Sequence, residues 1–445
     1  MAAASCQPDR PNLSTLKTNP ASLAICGGAP AFPNFLHVGG TNLGDRAAML
    51  RRVNEIFDRR WFTNNGPLVQ EFESRIQTLT GVRHCVAMCN ATIALEIAAR
   101  ALGFHGEVIV PAYTFVATAH ALQWQEITPV FADMDPATHN LAADTIERLI
   151  TPRTTGIVGV HVWGRPCDTT AIEAIAAKRG LKVMYDASHA FGCSHGGRMI
   201  GNFGACEVFS FHATKFINSF EGGAVVTNDD ELAAKMRLMR NFGFTGYDRV
   251  IYPGINGKMT EVCAAMGVTS LESMTEIVAH NRQNYEAYRE GLAGLPGVTL
   301  KEYDPNEQRN YQYIVVEVEA TAAALNRDEL VAVLQMENVL ARKYFWPGCH
   351  HLEPYKSLQP NAALLLARTE AVAARVIVLP TGQSVSVAAA RQVCQIIRRA
   401  LAVAGDVRER LQARGGVSPE IPARLLARAK DLAIPAGAGG PANAP

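Results

Sequence analysis

The spacing of hydrophobic and polar positions changes several times along this chain. Apolar residues recur at helical spacing in residues 45–60 and 68–79, which predicts two amphipathic helices. From about residue 82 to residue 275, short apolar runs alternate with helical segments. Because parallel strands need a crossover between them, this alternation predicts an α/β fold with a mainly parallel sheet and helices on both faces.

The predicted strands of this region are short apolar runs at 84–88, 107–110, 129–131, 156–161, 181–185, 206–210 and 223–226. The predicted helices between them lie at 92–102, 114–124, 143–150, 169–179 and 230–240. A second run predicts strands at 312–318 and 375–378 and helices at 327–338 and 386–401, which is typical of a smaller α+β domain.

These patterns divide the chain into four parts. Residues 1–22 are polar and contain three prolines, so we predict a disordered leader. Residues 23–283 form the predicted large domain, and residues 284–411 form the small C-terminal domain. Residues 412–445 are rich in Ala, Pro and Gly and predict a low-complexity tail with at most a turn or two of helix at 424–432.

Composition narrows the class of protein. The chain is 48% hydrophobic and 19% charged, as folded proteins are, and its net charge of +1 offers no basic excess for nucleic acid. No signal sequence and no apolar run long enough for a bilayer is visible. The ten cysteines contain no Cys-x-x-Cys pair, which is typical of a reducing compartment. We therefore expect a cytoplasmic protein that binds neither nucleic acid nor membrane.

Three features at predicted strand or turn ends carry candidate chemistry. Lys215 follows an apolar strand, Asp186 ends another, and the turn Asn90-Ala91-Thr92 opens a strong helix. Each has an ordinary alternative, since lysines are mostly surface charges and Asp or Asn often caps a helix. Together they match the needs of a pyridoxal phosphate (PLP) site, namely a partly buried amine, a carboxylate for the pyridine nitrogen and an anion-binding helix N-terminus.

For several other polar and aromatic residues, the sequence is compatible with either a role in the site or a structural role. Ser210 is either a second phosphate donor or a polar strand position, and Phe115 either stacks on a ring or belongs to the core. His189 follows Asp186 by three residues, so it faces the same pocket or is a structural histidine. We reject a metal site at residues 349–351, since three consecutive residues cannot all turn toward one ion, and predict none.

Nine motifs occur in a fixed order along residues 25–405. They are Asn64-Asn65-Gly66-Pro67, Asn90-Ala91-Thr92, Val110-Pro111-Ala112-Tyr113-Thr114-Phe115, Val160-His161-Val162-Trp163-Gly164, Asp186-Ala187-Ser188-His189-Ala190, Phe209-Ser210-Phe211-His212-Ala213-Thr214-Lys215, Glu221-Gly222-Gly223, Gly254-Ile255-Asn256-Gly257-Lys258-Met259 and Tyr344-Phe345-Trp346-Pro347-Gly348-Cys349-His350. This series resembles the DegT/StrS family of PLP-dependent sugar aminotransferases, which have the aspartate-aminotransferase-like fold (fold type I).

The resemblance implies a role for each matched residue. Lys215 is expected to form the Schiff base, Asp186 to hold the pyridine nitrogen, and Phe115 to stack on the ring. His189 is expected beside the phenolic oxygen of the cofactor. The expected phosphate ligands are Thr92, Ser210 and, from the neighbouring subunit of a homodimer, Asn256. Ala91 stands where the family usually has glycine.

The resemblance also implies a reaction. Similar transaminases of antibiotic-sugar pathways use PLP and its pyridoxamine form (PMP). They move the amino group of L-glutamate to TDP-4-keto-6-deoxy-D-glucose, giving TDP-4-amino-4,6-dideoxy-D-glucose and 2-oxoglutarate. Nearness to family motifs suggests Asn64, Lys343, Tyr344 and His350 as substrate residues.

Three alternatives stay open at this point. Amination at carbon 3, or the opposite stereochemistry at carbon 4, is compatible with the same motifs. A PLP-dependent sugar dehydratase is disfavoured, since such relatives carry His in place of the lysine at 215. A PLP-binding regulatory protein without turnover would be expected to carry an added DNA-binding module or basic patch, and the sequence shows neither.

Overall fold

The computed structural model of the protein describes residues 20–417. Its strands are β1 (Leu36–His37), β2 (His84–Met88), β3 (Glu107–Pro111), β4 (Thr128–Ala132), β5 (Thr154–Val160), β6 (Lys182–Asp186), β7 (Ser194–His195), β8 (Arg198–Met199), β9 (Cys206–Ser210), β10 (Gly223–Thr227), β11 (Val298–Leu300), β12 (Ile314–Val318), β13 (Val339–Leu340) and β14 (Val376–Leu379).

The helices connect and cover these strands. They are α1 (Arg46–Arg59), α2 (Pro67–Thr80), α3 (Ala91–Leu102), α4 (Ala117–Gln123), α5 (Ala143–Ile146), α6 (Thr169–Arg179), α7 (Asp230–Met239), α8 (Glu261–Glu272), α9 (Met274–Leu292), α10 (Ala320–Ala323), α11 (Arg327–Met336), α12 (Tyr355–Leu358), α13 (Ala367–Ala373), α14 (Val387–Ala402) and α15 (Ala404–Ala413). Turns of 3-10 helix lie at Pro20–Ser22, Ala24–Cys26, Glu147–Leu149, Val162–Gly164, Cys349–His351 and Ala362–Leu365.

Seven strands form the central sheet in the order β2-β10-β9-β6-β5-β3-β4. All neighbours are parallel except β10, which runs antiparallel to both β2 and β9. Strands such as β3, β9 and β10 are buried along their whole length, because helices cover both faces of the sheet. The predicted α/β class with a mainly parallel mixed sheet is confirmed.

Most predicted elements agree with the structure within a few residues, and one difference affects the site. The helix predicted from residue 114 begins only at Ala117. The reason is that the N–H of Ala112 donates to Ala132 and its carbonyl accepts from Cys349, which keeps the chain extended beyond β3. Phe115 is therefore in a loop, not on a helix face.

A second core surrounds the antiparallel sheet β11-β12-β14 and helices α9, α11 and α14. Leu23, Ile25 and Phe32 pack into this core, and the carboxylate of Glu337 accepts N–H groups from this segment at 2.7 Å. This packing differs from the predicted boundary, which joined residues from 23 onward to the large domain. The domain division stays a prediction. Residues 1–19 and 418–445, with most of the predicted leader and tail and the turns at 424–432, lie outside the described residues.

The length and hydropathy of the helices bear on whether any of them could span a bilayer. Among the described residues, no single helix is both long and apolar enough to cross one. The pair α8 and α9, which bends by 61°, meets the length and composition criteria together.

Candidate active site

A cavity of about 310 Å³ lies at the carboxyl edge of the central sheet. Seven of the eight predicted cofactor residues line it, namely Ala91, Thr92, Phe115, Asp186, His189, Ser210 and Lys215. They meet because the carboxyl ends of parallel strands share one edge. A larger depression of about 790 Å³ beside α9 contains none of these residues, so the smaller cavity is the candidate site.

One end of the cavity is an anion-binding cradle built around the start of α3. The side chain of Asn90 caps this helix, while the N–H groups of Ala91 and Thr92 have no acceptor within the helix. A Cβ at Gly223 would lie only 2.5 Å from the carbonyl carbon of Asn90, so glycine is needed for β10 to approach the turn. Ser210 pairs with Gly223 across the sheet, which brings its hydroxyl to the same cradle. Ala91 is the first helical residue and needs no glycine.

Asp186, at the end of β6, also lines the cavity and is only 5% exposed. Its Oδ2 accepts the hydroxyl of Thr118 at 2.8 Å, and its Oδ1 accepts the N–H of Ser188 at 3.0 Å. The hydroxyl of Thr118 also lies 3.0 Å from that of Thr114. These contacts fix the carboxylate in one orientation. Thr118 was not among the predicted site residues, and its only signal in the sequence is a second threonine four positions earlier.

Lys215 is half-buried in the cavity, and its Nζ lies 3.5 Å from the Tyr313 hydroxyl. Burial lowers the pKa of Lys215 to about 8, although the charge of Asp186 opposes that shift. An amine with this pKa is partly neutral at physiological pH and can act as nucleophile or base. Tyr313 directly precedes β12, 98 residues further along, and no sequence signal pointed to it.

His189 is held by a backbone hydrogen bond and lies among aromatic side chains. Its Nδ1 accepts the backbone N–H of Trp163 at 3.2 Å, so in the neutral ring the proton is on Nε2. Burial, with the charge of Lys215, holds the pKa of His189 well below its ordinary value. The ring of Trp163 stacks on that of Phe345 at 5.1 Å. Phe115 is 58% exposed, which leaves its ring available to a bound planar group.

A buried hydrogen bond between two side chains supports the strand that carries Asp186. His161 donates its backbone N–H to the Asp186 carbonyl, and its Nε2 lies 2.9 Å from the carboxylate of Glu207. The backbone N–H of Cys167 donates to Nδ1 of His161 at 3.0 Å, so Nδ1 carries no proton. The imidazole is therefore neutral and donates its Nε2–H to the Glu207 carboxylate.

The predicted substrate residues do not all meet in one protomer. Tyr344 lines the cavity. Lys343 instead pairs with Asp328 at 3.0 Å, and Asn64 lies in a separate shallow depression beside Lys258.

His350 also lies outside the cavity, although it is close to Tyr344 in sequence. Its Nε2 contacts Glu370 at 2.5 Å. The chain reverses at Gly348, whose φ is +93°, and this turn carries His350 away from the cavity. Asn256, the predicted contribution of a neighbouring subunit, is exposed.

Comparison with known proteins gives a consistent result. The sequence profile of the DegT/DnrJ/EryC1/StrS aminotransferase family matches residues 45–398. A dTDP-4-amino-4,6-dideoxy-D-glucose transaminase from Shigella dysenteriae is 39% identical over 73% of this chain and 88% of its own length. The crystal structure of DesI in the presence of its TDP-sugar product is 47% identical, with a TM-score of 0.83 over 89% of this chain and all of DesI. NtdA from Bacillus subtilis, solved with bound PMP, is 26% identical over 80% of this chain and 82% of its own, with a TM-score of 0.73.

Proposed function

Because this chain belongs to the DegT/DnrJ/EryC1/StrS aminotransferase family, we propose that it transfers the amino group of L-glutamate to carbon 4 of TDP-4-keto-6-deoxy-D-glucose. The products are TDP-4-amino-4,6-dideoxy-D-glucose and 2-oxoglutarate. The observation that carries the proposal is the cavity in which Lys215, Asp186 and the α3 cradle converge, in a chain 47% identical to DesI. The fold is the aspartate-aminotransferase-like fold type I.

The cavity residues fit PLP as the cofactor. The cradle offers the free N–H groups of Ala91 and Thr92 and the hydroxyl of Ser210, which suit a phosphate. Asp186 offers an oriented carboxylate, and Lys215 offers the amine. When bound, PLP supplies a carbonyl carbon that carries the amino group and a ring that accepts the electrons of the substrate carbanion.

Each side chain then has a defined task. With a pKa of about 8, the Lys215 amine takes a proton from the α-carbon of glutamate and returns one at the sugar carbon in the second half-reaction. The Asp186 carboxylate, held by Thr118 and Ser188, keeps the pyridine nitrogen protonated. Nε2–H of His189 is the donor for the phenolic oxygen, and the exposed ring of Phe115 covers one face of the cofactor.

We also propose that the active form is a homodimer, with Asn256 of one protomer reaching the phosphate site of its partner. The stretch from 242 to 255 exposes several large apolar side chains, namely Phe242, Phe244, Tyr247, Val250, Ile251 and Ile255. Such a concentration of apolar surface next to Asn256 is typical of an interface between subunits. The cytoplasm remains the proposed location, because the dispersed cysteines are typical of a reducing compartment. A role in antibiotic-sugar biosynthesis is part of the same proposal.

The test is product analysis. Purified protein loaded with PLP is incubated with L-glutamate and a panel of nucleotide-linked keto sugars, and the products are identified by mass spectrometry and NMR. We expect an equatorial amine at carbon 4 of the TDP-sugar. A product with the amine at carbon 3, or with the opposite configuration at carbon 4, would mean that the protein catalyses that reaction instead.

Variants separate catalysis from mere cofactor binding. Lys215→Ala is expected to abolish turnover, whereas Lys178→Ala, a change at an exposed lysine of α6, serves as a matched control and retains it. If glutamate leaves the absorption spectrum of the bound cofactor unchanged and no keto sugar yields a product, a regulatory PLP-binding protein would be the better interpretation.

A further inference from the structure

Three potential metal ligands converge outside the candidate active site. Nε2 of His350 lies 2.5 Å and Nε2 of His351 lies 2.6 Å from the same oxygen, Oε1 of Glu370. The three ligand atoms all lie within 4.8 Å of one another. Two imidazole nitrogens and one carboxylate oxygen are a set that Zn²⁺ binds, with a fourth position left for water.

The structure explains why no such metal site was predicted from the sequence. Consecutive residues indeed do not all converge, because the buried thiol of Cys349 turns away and contacts the carbonyl of Thr114 at 3.3 Å. The third group comes instead from α13, where Glu370 follows the histidines by 20 and 19 positions. A separation of 20 and 19 residues matches no usual metal-site spacing. The three side chains converge only because α13 packs against the 3-10 turn.

Burial and charge around the cluster favour a cation. His350 is only 2% exposed, and its Nε2 faces the Glu370 carboxylate. The side chains of His351 and Glu370 reach the surface, which gives an ion access. Asp133 adds a buried negative charge nearby, and within residues 20–417 no lysine or arginine forms an ion pair with Glu370.

One nitrogen of the cluster is not satisfied. Nδ1 of His350 has no hydrogen-bond partner among the described residues, whereas a buried histidine with a purely structural role normally engages both nitrogens. Metal-binding histidines usually donate this second N–H to an acceptor. Without that acceptor, we expect an affinity about 10- to 100-fold weaker than that of a fully supported site.

We propose that His350, His351 and Glu370 bind one Zn²⁺ ion. Binding requires both imidazoles to carry their proton on Nδ1, so that Nε2 lone pairs replace the N–H groups now facing the carboxylate. The ion would join the Cys349–His351 turn to α13. Tyr344 and Phe345, which line the active-site cavity, precede this turn by five and four residues, so the ion would stiffen that wall.

The experiment is a titration of the holoenzyme with Zn²⁺ after chelator treatment, followed by calorimetry and thermal unfolding. We expect one ion per chain and a rise in Tm on binding. His351→Ala and Glu370→Gln should each weaken binding at least about 10-fold, and Glu370→Gln preserves the side-chain shape if the alanine variant folds poorly. His105→Ala is the matched control, because it removes an exposed imidazole that belongs to no cluster of three potential metal ligands within residues 20–417.

Cobalt(II) identifies the ligands independently of affinity. A tetrahedral spectrum without thiolate charge-transfer bands, lost in Glu370→Gln, would support the site. Absence of stoichiometric Zn²⁺ binding would overturn the proposal. So would binding that both variants leave unchanged, or thiolate bands that place the ion at a cysteine instead.

Discussion

The pKa of Lys215 leads to a direct test of the proposed catalytic amine. The ordinary pKa of a lysine is 10.5, whereas burial lowers that of Lys215 to about 8. At pH 7, about 9% of an amine with a pKa of 8 is neutral, against roughly 0.03% at the ordinary value. The neutral fraction that reacts with an aldehyde is therefore about 300-fold larger at Lys215 than at an unperturbed lysine.

The assay is competitive reductive methylation of the cofactor-free protein across a pH series. Mass spectrometry of the peptides compares the labelling of Lys215 with that of the exposed Lys178. We expect the labelling of Lys215 to rise with a midpoint near pH 8. In Asp186→Asn the midpoint should fall below 8, because the carboxylate charge is the contribution that opposes the effect of burial.

Two results would refute this reasoning. A midpoint near pH 10 would mean that the folded protein does not desolvate the Lys215 amine. A midpoint near 8 that Asp186→Asn raises would mean that the two charges do not interact as the structure indicates. Unfolded protein in urea provides the reference, since it should label at Lys215 and Lys178 alike.

Three further predictions concern orientation, buried charge and helix capping. Thr118→Val removes a hydrogen bond to the Asp186 carboxylate, so kcat should fall about 10- to 100-fold, and Thr118→Ser should restore it. Glu207→Gln removes the charge of the buried carboxylate that accepts the Nε2–H of His161, and it should cost about 1.5–3 kcal/mol in urea unfolding at pH 7. An unchanged free energy of unfolding would contradict this prediction. Asn326→Ala removes the cap of α11 and should cost about 1 kcal/mol, while Asn326→Gly should cost only a few tenths, both measured by urea midpoint.

The local pattern of apolar and polar residues was sufficient to predict most of the fold. The strands that end at Asp186 and Ser210 were predictable, because fully buried parallel strands are short apolar runs separated by helical segments. The convergence of these strand ends with Lys215 also followed from sequence, since parallel order places carboxyl ends on one edge. The start of α4 did not follow, because hydrogen bonds from β4 and from residue 349 keep the preceding chain extended.

The sequence by itself determined the sheet, the family motifs and the principal residues of the cavity, because periodicity and strand ends are properties of neighbouring residues. Only the tertiary structure placed Tyr313 beside Lys215, Thr118 on Asp186 and Glu370 on the two histidines. Those partners are 98, 68 and 20 residues apart in the chain. Their contacts depend on how crossovers and C-terminal segments pack over the sheet edge. That packing cannot be predicted from the spacing of residues along the chain.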